Sequence, residues 1–157
     1  MADRDGSQED APFYRVSMPD GVVIAPVTTD GRIVLIRQYR QALGRETIEF
    51  PAGQVDPGEA PESAIARELY EETGYRCGSI DLVLDGELRL DREKARNYFF
   101  VGRDAELDPD FVADEPISPL LVEPRAFRQL ISDGRFDHIV ALPILLLASW
   151  KLGLEIA

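Results

Sequence analysis

A mixed α/β (α+β) sandwich is the fold that this 157-residue sequence predicts. Three observations predict it. Short β-branched runs precede a central helical segment, further strands follow it, and the chain closes with two helical stretches. Strands therefore do not alternate one-to-one with helices, as a repeated βαβ unit would require. The length suits a single domain, and an apolar content of 45% leaves enough material for one core.

Taken in order, residues 1–11 (MADRDGSQEDA) are polar and acidic, form an expected disordered tail and contain no apolar segment of a secretory leader. The single domain is expected over 12–157. Phe13 to Ser17 reads as a short strand before the turn residues MPDG. GVVIAPVT (21–28) and IVLIRQ (33–38) are strands joined by Thr29-Asp30-Gly31, a hairpin connection in which Gly tolerates positive φ. Pro26 marks an edge or a bulge, since it cannot donate to a sheet ladder. ETIEF (46–50) is another short strand, stopped by Pro51.

A helix is expected from Pro61, suited to a first turn, to Gly74, suited to the residue past a helix end; Ile65 and Leu69 share its apolar face. Strands follow at 82–90 and 97–102 around the charged stretch DREKAR (91–96), then an acidic loop over 104–115 and a strand at 117–122 interrupted by Pro119. Helices are expected from Pro124 to Ser132 and from about Asp137 to Leu152, the second kinked or delayed at Pro143.

Charge and composition narrow the function. A formal net charge of −12 argues against general affinity for nucleic-acid backbones or anionic membranes. The most apolar run, 139–149, is about half of the roughly 20 residues needed to cross a bilayer. Cys77 is the sole cysteine, which excludes an intrachain disulfide and points to the cytoplasm. His138 is the sole histidine and stands at a helix start, which gives little support to a histidine-based mechanism.

The chemistry concentrates in GQVDPGEAPESAIARELYEETGY (53–75). Residues three and four apart are neighbours on a helix, so Arg67 pairs with Glu71 while Glu68 and Glu72 repel by about 0.2–0.5 kcal/mol. That cost is small enough for a solvated acidic face. Clustered carboxylates are also how a hard divalent cation is held, and the tight turn Pro51-Ala52-Gly53 could add a backbone carbonyl.

This stretch resembles the signature of the Nudix hydrolases: Gly53, Glu59, Arg67, Glu68, Leu69, Glu71, Glu72, Gly74 and Tyr75 stand at every required spacing. Seven of these positions admit one residue type, so at about one in fifteen each a chance match at a given start is on the order of 10⁻⁸. The resemblance implies an α/β/α sandwich with a mixed sheet and a loop–helix–loop motif, and Mg²⁺- or Mn²⁺-dependent hydrolysis of a nucleoside diphosphate linked to another group. It implies Glu68 and Glu72 as principal metal ligands, Glu71 as a second-ion ligand or catalytic carboxylate, the Ala52 carbonyl as a further ligand, Arg67 as the residue that orients the glutamates, and Glu59 as a brace.

The run Arg37-Gln38-Tyr39-Arg40 followed by Glu49-Phe50-Pro51-Ala52-Gly53 resembles the branch that cleaves ADP-ribose and nucleotide sugars. That likeness implies Arg40, Arg37 and Glu49 in substrate binding, a guanidinium fork being matched to phosphate oxygens. It also implies a catalytic glutamate from the 104–115 loop, for which Glu115 is favoured over Asp114, Glu106, Asp108 and Asp110. A homodimer is implied as well, with Trp150 and residues 144–147 as core or dimer surface. One departure stands out: where the branch carries a proline, this chain has Asp91 within RLDREKARN. Hydrolysis of dinucleoside polyphosphates or nucleoside triphosphates, and a non-catalytic nucleotide-sensing module, are the alternatives.

Overall fold

The computed structural model describes residues 14–113 and 116–153. Ten strands and three α-helices follow in the order β1 (Val16–Ser17), β2 (Gly21–Thr28), β3 (Ile33–Arg40), β4 (Arg45–Glu49), β5 (Ala52–Gln54), α1 (Pro61–Thr73), β6 (Tyr75–Arg76), β7 (Ser79–Gly86), β8 (Glu93–Lys94), β9 (Asn97–Leu107), β10 (Ser118–Val122), α2 (Pro124–Ser132) and α3 (Pro143–Leu152), with a 3₁₀ turn at Ile139–Ala141. The expected tail at 1–11, Asp114 and Glu115 lie outside the described residues.

The main sheet runs β10-β3-β2-β9-β6, with β4 on β3, β5 on β2 and β7 on β9. It is mixed: β2 and β9 are parallel, and the other pairs of this sheet are antiparallel. Side chains alternate across a strand, and β2 uses both faces. Val22 and Ile24 pack with Phe100 against Ala64, Ile65 and Leu69 of α1. Val23 and Ala25 pack with Phe99 and Val101 into a second cluster holding Phe127 and Leu130 of α2 and Ile144, Leu145 and Ala148 of α3. One strand thus separates two cores, and the helices cover both faces of the sheet.

Several boundaries differ from the sequence reading. Pro26 lies in a central strand, at an irregularity where the β2–β9 register shifts, so it marks a bulge and no edge. Pro119 sits in β10, which among the described residues pairs only with β3 and so has a side free of the ladder. The strand expected at 82–90 occupies Ser79–Gly86, and the charged stretch after it holds β8, paired in parallel with β1. The first part of the expected acidic loop is strand: β9 continues to Leu107, with Ala105 buried between the charged Asp104 and Glu106. The last helix starts at Pro143, and the residues before it form the 3₁₀ turn.

Candidate active site

Helix α1 opens with Pro61 in its first turn and closes on Gly74, whose φ of 73° is the left-handed conformation that favours glycine; its N–H bonds the Tyr70 carbonyl. Burial of Ala64, Ile65 and Leu69 fixes the rotation of the helix on the sheet. That rotation turns Glu72 inward, where it is 8% exposed, and leaves Glu71 outward.

Strand β5 runs beside this face. Glu72 accepts a hydrogen bond from the Ala52 N–H at 3.0 Å, and Glu68 accepts one from the Gln54 N–H at 3.3 Å. Between those two residues is Gly53. A methyl group built there would lie 1.9 Å from the Glu68 Cδ, so the approach of this carboxylate requires a residue without a side chain.

Arg67 ties the loop to the helix with every arm of its fork. Nε and Nη2 donate to Glu59 at 3.1 and 2.9 Å, and Nη2 also reaches the Gln54 carbonyl at 3.1 Å. Nη1 donates to Glu68 at 2.9 Å and to Glu71 at 3.2 Å. Glu59 accepts the Asp56 N–H as well, and its carboxyl is held below the ordinary range, chiefly by Arg67. Glu68 goes the other way: burial raises its pKa despite the Arg67 contact. A carboxylate kept short of compensation in this way gains from a nearby cation.

Arg40 and Glu49 form a two-armed pair at 2.9 and 2.6 Å, with Thr47 donating to the same carboxylate at 2.6 Å. Burial pushes the Glu49 pKa up, but hydrogen bonds from Arg40 and Thr47 outweigh it and the net shift is downward. Glu72 lies near enough to favour the charged form of Arg40. Both members of the pair line a cleft of about 250 Å³ with Ala52, Gly53 and Gln54, so the glutamate loop and the Arg40–Glu49 pair share one opening.

Arg37 is placed elsewhere. It is three residues from Arg40 on a strand and so projects from the opposite face, into a groove with Leu120, Leu130 and Arg135 beside α2. Asp108 accepts from Tyr70 at 3.2 Å and Phe111 stacks edge-on against Tyr70, which anchors the start of the acidic loop to α1. Sequence reasoning set His138 aside and passed over Asn97 and Leu88, and all three line the Arg40 cleft.

The donor set around β5 is entirely oxygen, which suits Mg²⁺. Among the described residues no three acidic, histidine or cysteine side chains converge as a ready metal cage. Arg67 Nη1 bridges Glu68 and Glu71, and Glu71 is exposed enough to turn. The carboxylates of Glu68 and Glu72, held by backbone N–H groups on either side of Gly53, are donors of the kind a divalent ion takes.

The arrangement is a sheet between helices, with a glutamate-bearing helix closed on a glycine loop by one arginine. The NUDIX domain model matches residues 18–139, and the chain belongs to that family. It is 35% identical over 151 residues to a putative nudix hydrolase 2 of Caenorhabditis elegans, covering 88% of this chain and 66% of that protein. It is 45% identical over 60 residues to an ADP-ribose pyrophosphatase of Bacillus subtilis (strain 168), a match over 38% of this chain that spans only 32% of the relative. A crystal structure of an ADP compounds hydrolase shares the fold, with a TM-score of 0.73 at 23% identity over 88% of this chain and 75% of that one.

Proposed function

We propose that this protein hydrolyses the pyrophosphate bond of a nucleoside diphosphate linked to another group, ADP-ribose or another nucleotide sugar, with Mg²⁺ or Mn²⁺. The observation that carries the reading is the shared opening: Arg40 and Glu49 line the same cleft as Ala52, Gly53 and Gln54, beside the helix that bears Glu68 and Glu72. The similarity to an ADP-ribose pyrophosphatase points to the same substrate class.

Glu68 and Glu72, with the Ala52 carbonyl, would hold the ion, and Glu71 would serve a second position. The ion supplies neutralisation of the pyrophosphate charge and acidification of water. Arg67 keeps Glu59, Glu68 and Glu71 in register across the loop. Arg40, held by Glu49, presents the remainder of its fork to phosphate oxygens. A carboxylate of the acidic segment, for which we propose Glu115, takes the proton of the attacking water. Within the altered segment, Arg96 is committed to Asp85 and Glu87, and Arg92 stands beside Asp91.

A screen of nucleotide sugars, dinucleoside polyphosphates and triphosphates with Mg²⁺ or Mn²⁺, read by mass, tests the proposal. ADP-ribose should yield AMP and ribose 5-phosphate, and a chelator should stop the reaction. Glu72→Gln should lower kcat/KM by about 10²-fold and weaken Mn²⁺ binding; undiminished activity would remove Glu72 from the site. We also propose a homodimer in the cytoplasm, supported by exposed apolar residues such as Trp150 and Leu146 and by the free Cys77. Light scattering on the purified chain decides the first point. Among the described residues no helix is long and apolar enough to cross a membrane.

A further inference from the structure

His138 is built into the wall of the Arg40 cleft. The neighbouring Asp137 is stapled to β4 three ways: its carboxylate meets the Arg45 fork at 2.6 Å and the Ile48 N–H at 2.9 Å, and its own N–H bonds the Ile48 carbonyl at 2.9 Å. This staple carries the next side chain over the end of β4, beside Glu49, Arg40 and the Phe50 backbone. The imidazole is half-buried: its Nδ1 is enclosed beyond the reach of a ligand, the Phe50 backbone hydrogen-bonds the ring, and the remaining edge is what His138 offers to the cleft.

We propose that His138 is a substrate-contacting residue that selects for a sugar hydroxyl of the nucleotide sugar entering this cleft; the inference rests on the function proposed above. Burial lowers the pKa of the ring, Arg40 acts in the same sense, and Glu49 and the Phe50 backbone oppose them without prevailing. At neutral pH the ring is uncharged, with one donor nitrogen and one acceptor nitrogen. An uncharged imidazole adds little for a phosphate, whose natural partner here is Arg40. A hydroxyl is the complementary group, because it donates to a lone pair or accepts from an N–H and so satisfies either tautomer. The rest of the wall agrees: Asn97 and Gln54 are polar but uncharged, and Phe99, Leu88 and Val140 suit the apolar face of a sugar ring.

Two measurements on the full chain test this. The first compares ADP-ribose with analogues lacking one hydroxyl at a time on either ribose, in wild type, His138→Leu and His138→Asn. Wild type should lose about five-fold in kcat/KM on one analogue, the worth of one uncharged hydrogen bond. His138→Leu should lose the same factor on the complete substrate, mainly in KM, and be indifferent to that deletion; His138→Asn should recover part of both. An equal loss on every substrate, or a deletion penalty that persists in His138→Leu, would overturn the inference. The second uses the fact that the chain has one histidine. In ¹⁵N-labelled wild type with Mg²⁺ and the uncleavable methylene-bridged analogue of ADP-ribose, the signal of a ring nitrogen should move on binding. Two unmoved ring nitrogens at saturation would likewise reject it. If wild type neither binds nor cleaves any nucleotide sugar, the proposed function fails and this inference with it; cleavage without coupling to a hydroxyl sinks only the inference.

Discussion

The two walls of the candidate site are assembled in opposite ways. On one side, α1 and its loop place Glu59, Arg67, Glu68 and Glu71 together from residues at most twelve apart, joined by a single guanidinium. On the other, His138 reaches the Arg40–Glu49 pair through a staple between Asp137 and Ile48, 89 residues apart in sequence. The first wall is local and carries its own geometry. The second exists only when the C-terminal turn is docked on β4. On the function proposed above, the chemistry falls to the local wall and recognition to the tertiary one.

The local wall breaks most sharply at Gly53. In Gly53→Ala the new methyl group would overlap the Glu68 carboxyl group, which is the end of a flexible side chain and can move aside. The fold should survive and Glu68 should not stay in place. Since displacement of about 1 Å at a reacting centre costs on the order of 10²-fold in rate, kcat should fall by about that factor with little change in melting temperature. A variant that unfolds, or that keeps its kcat, would show that Gly53 has another task.

That same contrast explains what could be read from the sequence. The motif from Gly53 to Tyr75 was legible because its contacts span one helix and one loop, and the structure places Arg67 among the glutamates as the helical spacing requires. The end of β9 was hidden by its charges: only Ala105 of the residues from Asp104 to Glu106 faces inward, and a single buried alanine makes no visible alternation. The two-residue β8 depends on β1, some 77 residues earlier, and has no local signal at all. Arg37 and Arg40 belong to one run in the sequence, yet the twofold alternation of a strand sends them to opposite faces. His138 looked bland because its importance comes from a contact between Asp137 and a distant strand.

Breaking the staple should sharpen the comparison. Asp137→Ala leaves the Ile48 N–H without its acceptor, and a charge-assisted bond of that kind contributes about 2 kcal/mol. For a domain of this size the melting temperature should drop by about 5 °C. The variant should bind nucleotide sugar more weakly while its affinity for Mn²⁺ stays the same, because Glu68 and Glu72 lie on the other wall. Loss of metal affinity in this variant would mean that the two walls are not independent.

The smallest effect is expected at Glu49, which stands where the walls meet. Its folded-state pKa lies below the ordinary carboxylate value of 4.5, because bonds from Arg40 and Thr47 outweigh desolvation. A depressed carboxylate pKa stabilises the fold above the unfolded value and loses that contribution as pH falls through the folded one. The melting temperatures of wild type and Glu49→Gln should therefore differ by a constant amount above about pH 5.5, and the gap should narrow below pH 4.5. With Arg40 44% exposed, the gap corresponds to about 1 kcal/mol, well short of a fully buried ion pair. A gap that stays constant down to acid-induced unfolding would mean that Glu49 is held by its packing and by Thr47, and that Arg40 is free to serve the substrate alone.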